Sequence, residues 1–293
     1  MTFGRRKNTK KIREGITNTV LYIFLAIISI VWVFPFAYLI VNSFRTESTG
    51  IAGYFFPKEW GIDNYLYLFT GKDSNFMNWY TNTLIIALVV SVINTMITLL
   101  TAYALSRMRF TGRKALMKFM LILGMFPGFL GMICIYHLLD ALGLVGNESS
   151  IFGLMLVYIS GTMMGYMVTK GFFDTIPKSL DEAAMIDGAT KNKIFWSITL
   201  PLSKPIIIQT LLGAFVGPWG DFMMASYLVG KSGSQYQTVA IGLKTWIDSF
   251  AMYDKHFTHF CAGGVVVSIL PIILFFLMQR FYVEGVTGGS VKG

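Results

Sequence analysis

The sequence predicts an all-α polytopic membrane protein with six transmembrane helices and a cytoplasmic loop between the fourth and fifth. The first observation is composition: 54% of the 293 residues are hydrophobic and 13% are charged, whereas soluble domains average about 25% charged residues. The second observation is that the apolar residues form six long runs. The third is that most charged residues lie between those runs.

The six apolar runs are long enough to cross a bilayer as helices. A helix rises about 1.5 Å per residue, so about 20 residues cross the hydrocarbon core. Helices are required because unpaired backbone groups are costly in lipid. Five runs contain no charged residue, and the remaining one contains only Asp221. The predicted spans are residues 15–44, 74–106, 119–139, 149–169, 205–230 and 256–279.

The third predicted span contains several residues that disfavour a straight helix. These residues are Gly124, Pro127, Gly128 and Gly131. Proline permits a kink and small residues allow close approach of helices, so we expect an inner bundle around a cavity. Ordinary close packing of helices is a second interpretation of the same glycines.

The basic residues predict the orientation in the membrane. Lys and Arg are retained on the cytoplasmic side, and 18 of the 24 basic residues lie before span one, between spans two and three, between spans four and five, or after span six. Both termini should therefore be cytoplasmic. We divide the chain into a basic segment, 1–16, a transmembrane domain, 17–284, which contains the loop 171–204, and a cytoplasmic tail, 285–293.

Composition argues against several other classes of protein. The net charge of +9 is divided among separate segments and forms no single basic stripe, so we expect no nucleic-acid partner. Cys134 and Cys261 both lie in apolar runs, which leaves no disulfide framework or paired-cysteine zinc site. We therefore expect neither a metal nor another cofactor.

The loop between spans four and five carries helix signals. Ser179 and Glu182 stand three residues apart, as in a capping box, in which each side chain bonds the backbone amide of the other residue. We expect a short helix over 180–187 that ends at Gly188, where glycine can adopt a left-handed conformation. A second amphipathic helix should follow and end near Pro201, because apolar residues recur at helical spacing at Ile194, Phe195, Ile198 and Leu202.

The same loop contains a recognisable motif. Glu182-Ala183-Ala184, Gly188 and Ile198-Thr199-Leu200-Pro201 resemble the EAA loop of binding-protein-dependent ABC importers, and every fixed position matches. The segments 171–177, 200–205 and 279–293 resemble the MalG-like permease subunits of maltose and maltodextrin importers. The resemblance covers about residues 78–293 and implies a fold like that of type I ABC importers.

The resemblance also implies partners and a location. In that family, two unlike permease subunits form the pathway, so this chain would pair with a second, MalF-like permease. Two copies of a cytoplasmic ABC ATPase provide power, and an extracytoplasmic binding protein delivers the oligosaccharide substrate. The chain would lie in the lipid bilayer of a bacterial plasma or inner membrane. It would couple the movements of the ATPase to alternating access of the pathway. The chain itself would not be an enzyme.

The short loop helix is the predicted docking site for the ATPase. Its small alanines could enter a cleft, and its acids could meet basic groups of the partner. The alternative is an interfacial helix that lies on anionic lipid, which three nearby acids disfavour. The predicted docking residues are Ser179, Asp181, Glu182, Ala183, Ala184, Asp187 and Gly188.

The substrate pathway is predicted near Asp221, because a charge inside a span is costly and should face water or a partner. Gly217-Pro218-Trp219-Gly220-Asp221 interrupts the helix pattern, and broken helices commonly line transporter cavities. Sugars bind through aromatic faces and hydrogen bonds, so the candidates are Trp219 and Asp221, with Phe215 and Phe222. A second interpretation is a kink packed by Trp219, with Asp221 capping freed amides or pairing with the sister subunit.

Two other functions fit the sequence less well. An enzyme would need a nucleophile, a base and an orienting group, which cannot be placed together here; the pair His256 and His259 lacks the Glu of a zinc-protease motif. A secondary transporter or channel for a small polar solute is the alternative function. Such proteins often carry several ionisable residues inside the membrane, whereas Asp221 stands alone.

Overall fold

The computed structural model describes the backbone of residues 2–47, 53–160 and 163–288. These residues form fourteen α-helices, one π-helical turn and one 3-10 turn, and their only β-type pairing is an isolated bridge between Arg45 and Trp60. The helices are α1 Thr2–Ser43, α2 Asp63–Thr70, α3 Phe76–Arg107, α4 Arg113–Gly124, α5 Gly128–Ala141, α6 Ser150–Ser160, α7 Met163–Thr175, α8 Lys178–Ile186, α9 Lys191–Ile194, α10 Leu200–Leu202, α11 Lys204–Gly220, α12 Met223–Val229, α13 Val239–Thr245 and α14 Phe250–Gly288.

Four helical segments in the described part are long and apolar enough to cross a membrane without a sharp bend. They are Gly15–Ser43, Phe76–Arg107, Ser150–Thr175, which includes α6 and α7, and Phe250–Gln279. They correspond to the first, second, fourth and sixth predicted spans. The prediction of an all-helical polytopic membrane protein is confirmed. The number of spans rises to six if each of two bent helix pairs counts as one span. These pairs are Arg113–Gly124 with Gly128–Ala141 and Lys191–Leu202 with Lys204–Gly220.

The third predicted span is bent rather than straight. α4 and α5 meet at an angle of 101°, and Pro127 between them has an extended ψ of 122°. Proline has no backbone N–H and clashes with the preceding turn, so the helix stops before it. The kink expected at this proline is confirmed.

The fifth predicted span is also divided. α11 ends at Gly220, Asp221 has an extended ψ of 103°, and α12 begins at Met223. The 17 residues of α11 cover about 26 Å, slightly less than a typical hydrocarbon core. The helix interruption expected around Pro218 is therefore confirmed, three residues beyond the proline.

α3 lies at the centre of the protein. It packs along α11, α7 and α6, and fifteen of its residues are buried. At its Phe76 end, Trp79 packs edge-on against Trp246, with ring centroids 5.2 Å apart. A Cβ atom added to Gly242 of α13 would lie 2.0 Å from the Trp79 ring, so only glycine allows this approach of α13 to α3.

α1 is held mainly near its Ser43 end. Ser43 Oγ lies 2.6 Å from the Tyr65 hydroxyl, and the fully buried Arg45 pairs with Glu47 at 2.8 Å. The backbone N–H of Lys58, together with that of Glu59, donates to the Glu47 carboxylate and holds the pKa of Glu47 below its usual range. By contrast, the most apolar window of the Gly15–Ser43 span has none of its residues buried.

Candidate functional site

The short helix predicted in the loop is α8, but it begins earlier than expected. Pro177 is its N-cap residue, and no side chain caps the helix. Ser179 therefore lies in the first turn rather than at the N-cap position, and the predicted capping box with Glu182 is wrong. Pro177 has an extended ψ of 129°, as is typical of an N-cap residue. Proline is tolerated at this position because its missing N–H would have no partner within the helix.

The C-terminal end of α8 matches the prediction. α8 ends at Ile186, and Gly188 has a φ of +79°, the left-handed conformation expected there. The N–H of Gly188 donates to the carbonyl of Met185 at 3.1 Å, and that of Ala189 donates to the carbonyl of Ala184 at 2.9 Å. These bonds use carbonyls that the helix end would otherwise leave unpaired.

One surface of α8 is exposed in the described part of the chain, and we call it the docking face after the role that the sequence predicts for it. Ile186, the last residue of α8, is 87% exposed, and Leu180 and Met185 are also exposed. Of the predicted docking residues, Ser179, Glu182, Ala183, Asp187 and Gly188 are exposed and Ala184 is half-buried. This face thus combines exposed apolar side chains with two exposed acids, Glu182 and Asp187.

Asp181 differs from the other predicted docking residues because it points into the protein. Its side chain is 10% exposed and its Oδ2 lies 3.1 Å from Nε of Arg107, at the end of α3. Asp181 and Arg107 therefore form a buried ion pair within this chain. The sequence reasoning did not single out Arg107, although its place directly after a charge-free span distinguishes it from the other basic residues.

The second helix of the loop is present and is amphipathic. α9 is capped by Thr190, whose Oγ1 accepts the N–H of Lys193 at 3.3 Å, and it continues through a π-helical turn, Phe195–Thr199, into α10. Ile194 and Phe195 are buried, whereas Leu202 is half-exposed. The following α11 is bent from this segment by 83°.

A cavity of about 570 Å³ lies between α3, α6, α7 and α11, and we call it the central cavity. Its size is in the range of ligand-binding pockets. Its wall is mostly apolar, with a few polar groups and Asp221 as its only acidic or basic residue among those described. The lining residues are Val90, Asn94, Thr98, Tyr158, Gly165, Val168, Thr169, Ile206, Gln209, Thr210, Gly213, Ala214, Gly217, Pro218 and Asp221.

Asp221, at the end of α11, is hydrogen-bonded to residues of α6 and α12. Its Oδ1 accepts the N–H of Met224 at 3.1 Å, and its Oδ2 accepts the hydroxyl of Tyr158 at 2.6 Å. Asn94 of α3 donates to the carbonyls of Tyr158 and Ile159, each at 3.1 Å. Each of the two carboxylate oxygens therefore accepts a hydrogen bond from within this chain. Asp221 thus both caps a freed amide and faces the central cavity.

The three aromatic pathway candidates do not line the central cavity. Trp219 is 6% exposed and Phe215 is 5% exposed; the two rings lie 6.0 Å apart, and Trp219 packs edge-on against Tyr80. Phe222 is 38% exposed, at the break itself. The polar lining residues were missed by the sequence reasoning, although Asn94 and Thr98 stand four residues apart in a charge-free span.

The histidine pair in α14 belongs to an aromatic cluster. Nδ1 of His256 lies 3.3 Å from Nδ1 of His259, and Tyr67 stacks on His259 with ring centroids 3.9 Å apart. Within the described ranges, no group of three or more His, Cys, Asp or Glu residues could hold a metal ion.

The chain matches a known protein family over most of its length. The family described as "Binding-protein-dependent transport system inner membrane component" matches residues 94–287. The maltodextrin transport system permease protein MalD of Streptococcus pneumoniae is 33% identical, over 98% of this chain and 99% of that protein. The maltodextrin permease MdxG of Bacillus subtilis is 36% identical, over 93% of this chain and 95% of that protein.

Two further similarities extend the range of relatives. The galactooligosaccharides transport system permease protein GanQ of Bacillus subtilis is 35% identical, over 97% of this chain and 98% of that protein. A chain in the crystal structure of a bacterial ABC transporter that imports the acidic polysaccharide alginate has a TM-score of 0.76 and 23% identity. The match covers 92% of this chain and 97% of that chain, and it supports the fold.

The resemblance inferred from the EAA motif is confirmed by these relatives. The family consists of membrane permease components, so the chain is not an enzyme itself, and its apolar helices make it a multi-pass membrane protein. It belongs to the family of inner-membrane permease components of binding-protein-dependent ABC transport systems.

Proposed function

We propose that this chain is the transmembrane permease subunit of an ATP-driven importer of oligosaccharides, with maltodextrins as the substrate class. The observation that carries the proposal is the identity of 33% and 36% to two maltodextrin permeases along nearly the whole chain. The galactooligosaccharide relative at 35% identity defines the nearest competing substrate class.

The proposed complex contains a second, MalF-like permease, two copies of a cytoplasmic ABC ATPase and an extracytoplasmic sugar-binding protein. The docking face of α8 supports an ATPase contact, because an exposed isoleucine beside two exposed acids suits a cleft with an apolar floor and basic rim. Movements of the ATPase during its cycle would act on this loop and open the pathway alternately to the two sides of the membrane. The other predicted docking residues keep their role as contacts for the ATPase, whereas Asp181, which is buried against Arg107, would act by holding α8 in place.

The proposed pathway passes the central cavity at Asp221. Asn94, Thr98, Gln209 and Thr210 offer uncharged donors and acceptors on its wall, which suit sugar hydroxyl groups. Trp219 and Phe215 pack behind the helix break, and Phe222 lies at it, so these three residues would shape the pathway rather than line this cavity.

The proposed orientation places both termini in the cytoplasm of a bacterial cell. It is supported by the 18 basic residues in the segments assigned to that side, against 6 in the other segments. The boundaries 1–16, 17–284 and 285–293 stay as proposed; α14 continues as a helix to Gly288. A cysteine introduced at Lys191 in a cysteine-free background should react only with reagents that enter the cytoplasm, and reaction from outside would contradict this orientation.

Reconstitution in liposomes tests the function. The chain, its sister permease, the ATPase and the binding protein should take up radiolabelled maltotriose only when ATP is present. Uptake of galactotriose in its place would assign the competing substrate class. Uptake by this chain alone, without an ATPase, would contradict the proposal and favour a secondary transporter.

A further inference from the structure

The last turn of α3 contacts three separate parts of the loop that contains the docking face. Tyr103 donates its hydroxyl to the carbonyl of Lys191, at the start of α9, at 3.1 Å. Ser106 donates to Oδ1 of Asp174 in α7 at 2.6 Å. Arg107 pairs with Asp181 in α8 at 3.1 Å. The end of α3 is therefore bonded to the helix before α8, to α8 itself and to the helix after it.

Arg107 makes the densest set of these contacts. Besides its ion pair with Asp181, its Nη2 donates to the carbonyls of Phe173 and Ile176 at 3.0 and 2.8 Å. These carbonyls belong to the last turn of α7 and to the residue after it, where a positive charge is favourable. The planar guanidinium thus bonds two carbonyls through Nη2 and forms the ion pair through Nε, an arrangement that the point charge of a lysine ammonium does not reproduce.

The ion pair between Arg107 and Asp181 is buried. The side chains of Arg107 and Asp181 are 5% and 10% exposed, and within the described residues neither forms a second ion pair. Removal of one partner from such a pair leaves an uncompensated buried charge. The geometry of α8 relative to α3 thus depends on both members.

α3 also forms part of the central cavity. Val90, Asn94 and Thr98 recur every four residues, so they share one face of the helix, and all three line the cavity. Thr98 is nine residues from Arg107, or about 14 Å along a rigid helix. Asn94 further holds the carbonyl of Tyr158, whose hydroxyl donates to Asp221. One helix therefore connects the loop with the polar contacts at the helix break.

We propose that Arg107 is a positioning residue that ties α8 to α3, so that movement of the loop displaces the cavity wall formed by Asn94 and Thr98. The inference rests on the proposed function, because it requires an ATPase that acts on the loop. Arg107 itself touches neither substrate nor ATP; it acts through Asp181 and the end of α7.

The test uses the full transporter in liposomes, with maltotriose as the probe. The variants are Asp181→Asn, which keeps the shape of the side chain, Arg107→Lys, which keeps the charge, and the exchange Arg107→Asp with Asp181→Arg. The matched control is Asp248→Asn, which removes the acid of the exposed pair with Lys244. Co-purification of the ATPase, ATP hydrolysis and sugar uptake are measured for each assembled complex.

We expect Asp181→Asn and Arg107→Lys complexes to assemble and hydrolyse ATP, but to import roughly tenfold less sugar per ATP. The charge exchange should recover part of this loss, and the Asp248→Asn control should match the wild type. If a variant does not assemble, Arg107→Met combined with Asp181→Leu replaces the buried pair by apolar side chains, which such sites tolerate, and should show the same loss of sugar per ATP.

Two results would overturn the inference. One is a wild-type ratio of sugar to ATP in every assembled variant. The other is a loss of uptake that follows the amount of assembled complex alone, since Arg107 would then be only structural. Failure of the wild-type chain to bind any ATPase would instead contradict the proposed function, so the two failures are distinguishable.

Discussion

α8 and the break between α11 and α12 both carry acidic residues, but the two regions treat them differently. Glu182 of α8 and Asp187, directly after its end, are exposed, as is Ile186, at 87%. At the break, both oxygens of Asp221 accept hydrogen bonds from groups in this chain. The first region leaves Glu182 and Asp187 for a partner, although its third acid, Asp181, is paired with Arg107; the second region holds its single acid in place. Substitutions should therefore affect association in α8, and stability together with transport at the break.

The largest effect should follow Trp219→Ala, at the break. Trp219 is 6% exposed and packs against Phe215 and Tyr80, and removal of a buried tryptophan side chain costs about 3–5 kcal/mol. The midpoint of thermal aggregation in detergent should fall, and assembly should fall with it. Trp60→Ala is the control, because Trp60 is 57% exposed. Equal effects of the two variants would show that packing at the break contributes no more to stability than an exposed tryptophan does.

Tyr158→Phe should have the next largest effect. It removes the hydroxyl that donates to Asp221 at 2.6 Å, and leaving a buried acceptor without its donor costs about 1–3 kcal/mol. Thermal stability and sugar uptake per assembled complex should both decrease. Tyr227→Phe, at a side chain that is 48% exposed, should change neither. Unchanged uptake in a stable Tyr158→Phe complex would show that this hydrogen bond plays no part in transport.

Ile186→Asp tests the other region. The side chain is exposed in this chain, so thermal stability should remain unchanged, while ATPase association weakens about tenfold, as expected for loss of an apolar anchor at an interface. The binding of purified ATPase to the permease pair measures this effect. Ile62→Asp is the control, at an isoleucine that is 58% exposed outside the loop. A destabilised Ile186→Asp protein would show that α8 is not a free surface.

The smallest effect should follow Gly188→Ala, which changes only the end of α8. With a φ of +79°, the alanine would cost about 1 kcal/mol in local backbone energy. We expect a modest decrease in ATP-driven uptake and little change in thermal stability. Gly171→Ala is the matched control, because no atom lies within 4 Å of the added Cβ and its φ is not positive. Identical behaviour of the two variants would indicate that the loop tolerates a different helix end.

The sequence predicted features that depend on neighbouring residues in the chain. The apolar spans, the kink at Pro127, the interruption near Pro218 and the left-handed Gly188 all follow from local backbone chemistry. The capping box failed because two residues at the correct spacing also fit the interior of a helix that Pro177 starts earlier. Spacing restricts where a helix can begin, but the preceding proline decided it.

Features that depend on distant residues could not be predicted in the same way. Arg107 and Asp181 are 74 positions apart, and nothing local indicates that they pair. The aromatic candidates failed to line the cavity for a related reason: the side of a helix that faces the core depends on all the helices packed around it. Trp219 faces α3 and Tyr80, whereas its neighbour Pro218 faces the cavity.

The exposed surface of α1 affects how the chain must sit in its bilayer. The span of 29 residues is about 44 Å long as a helix, longer than a hydrocarbon core of about 30 Å. Such a helix has to tilt or extend into the headgroups. With so little of its length packed within this chain, its inclination is set by the lipid thickness, by adjoining subunits and by the anchor around Ser43 and Arg45. Membranes of different thickness should therefore shift α1 more than any other span.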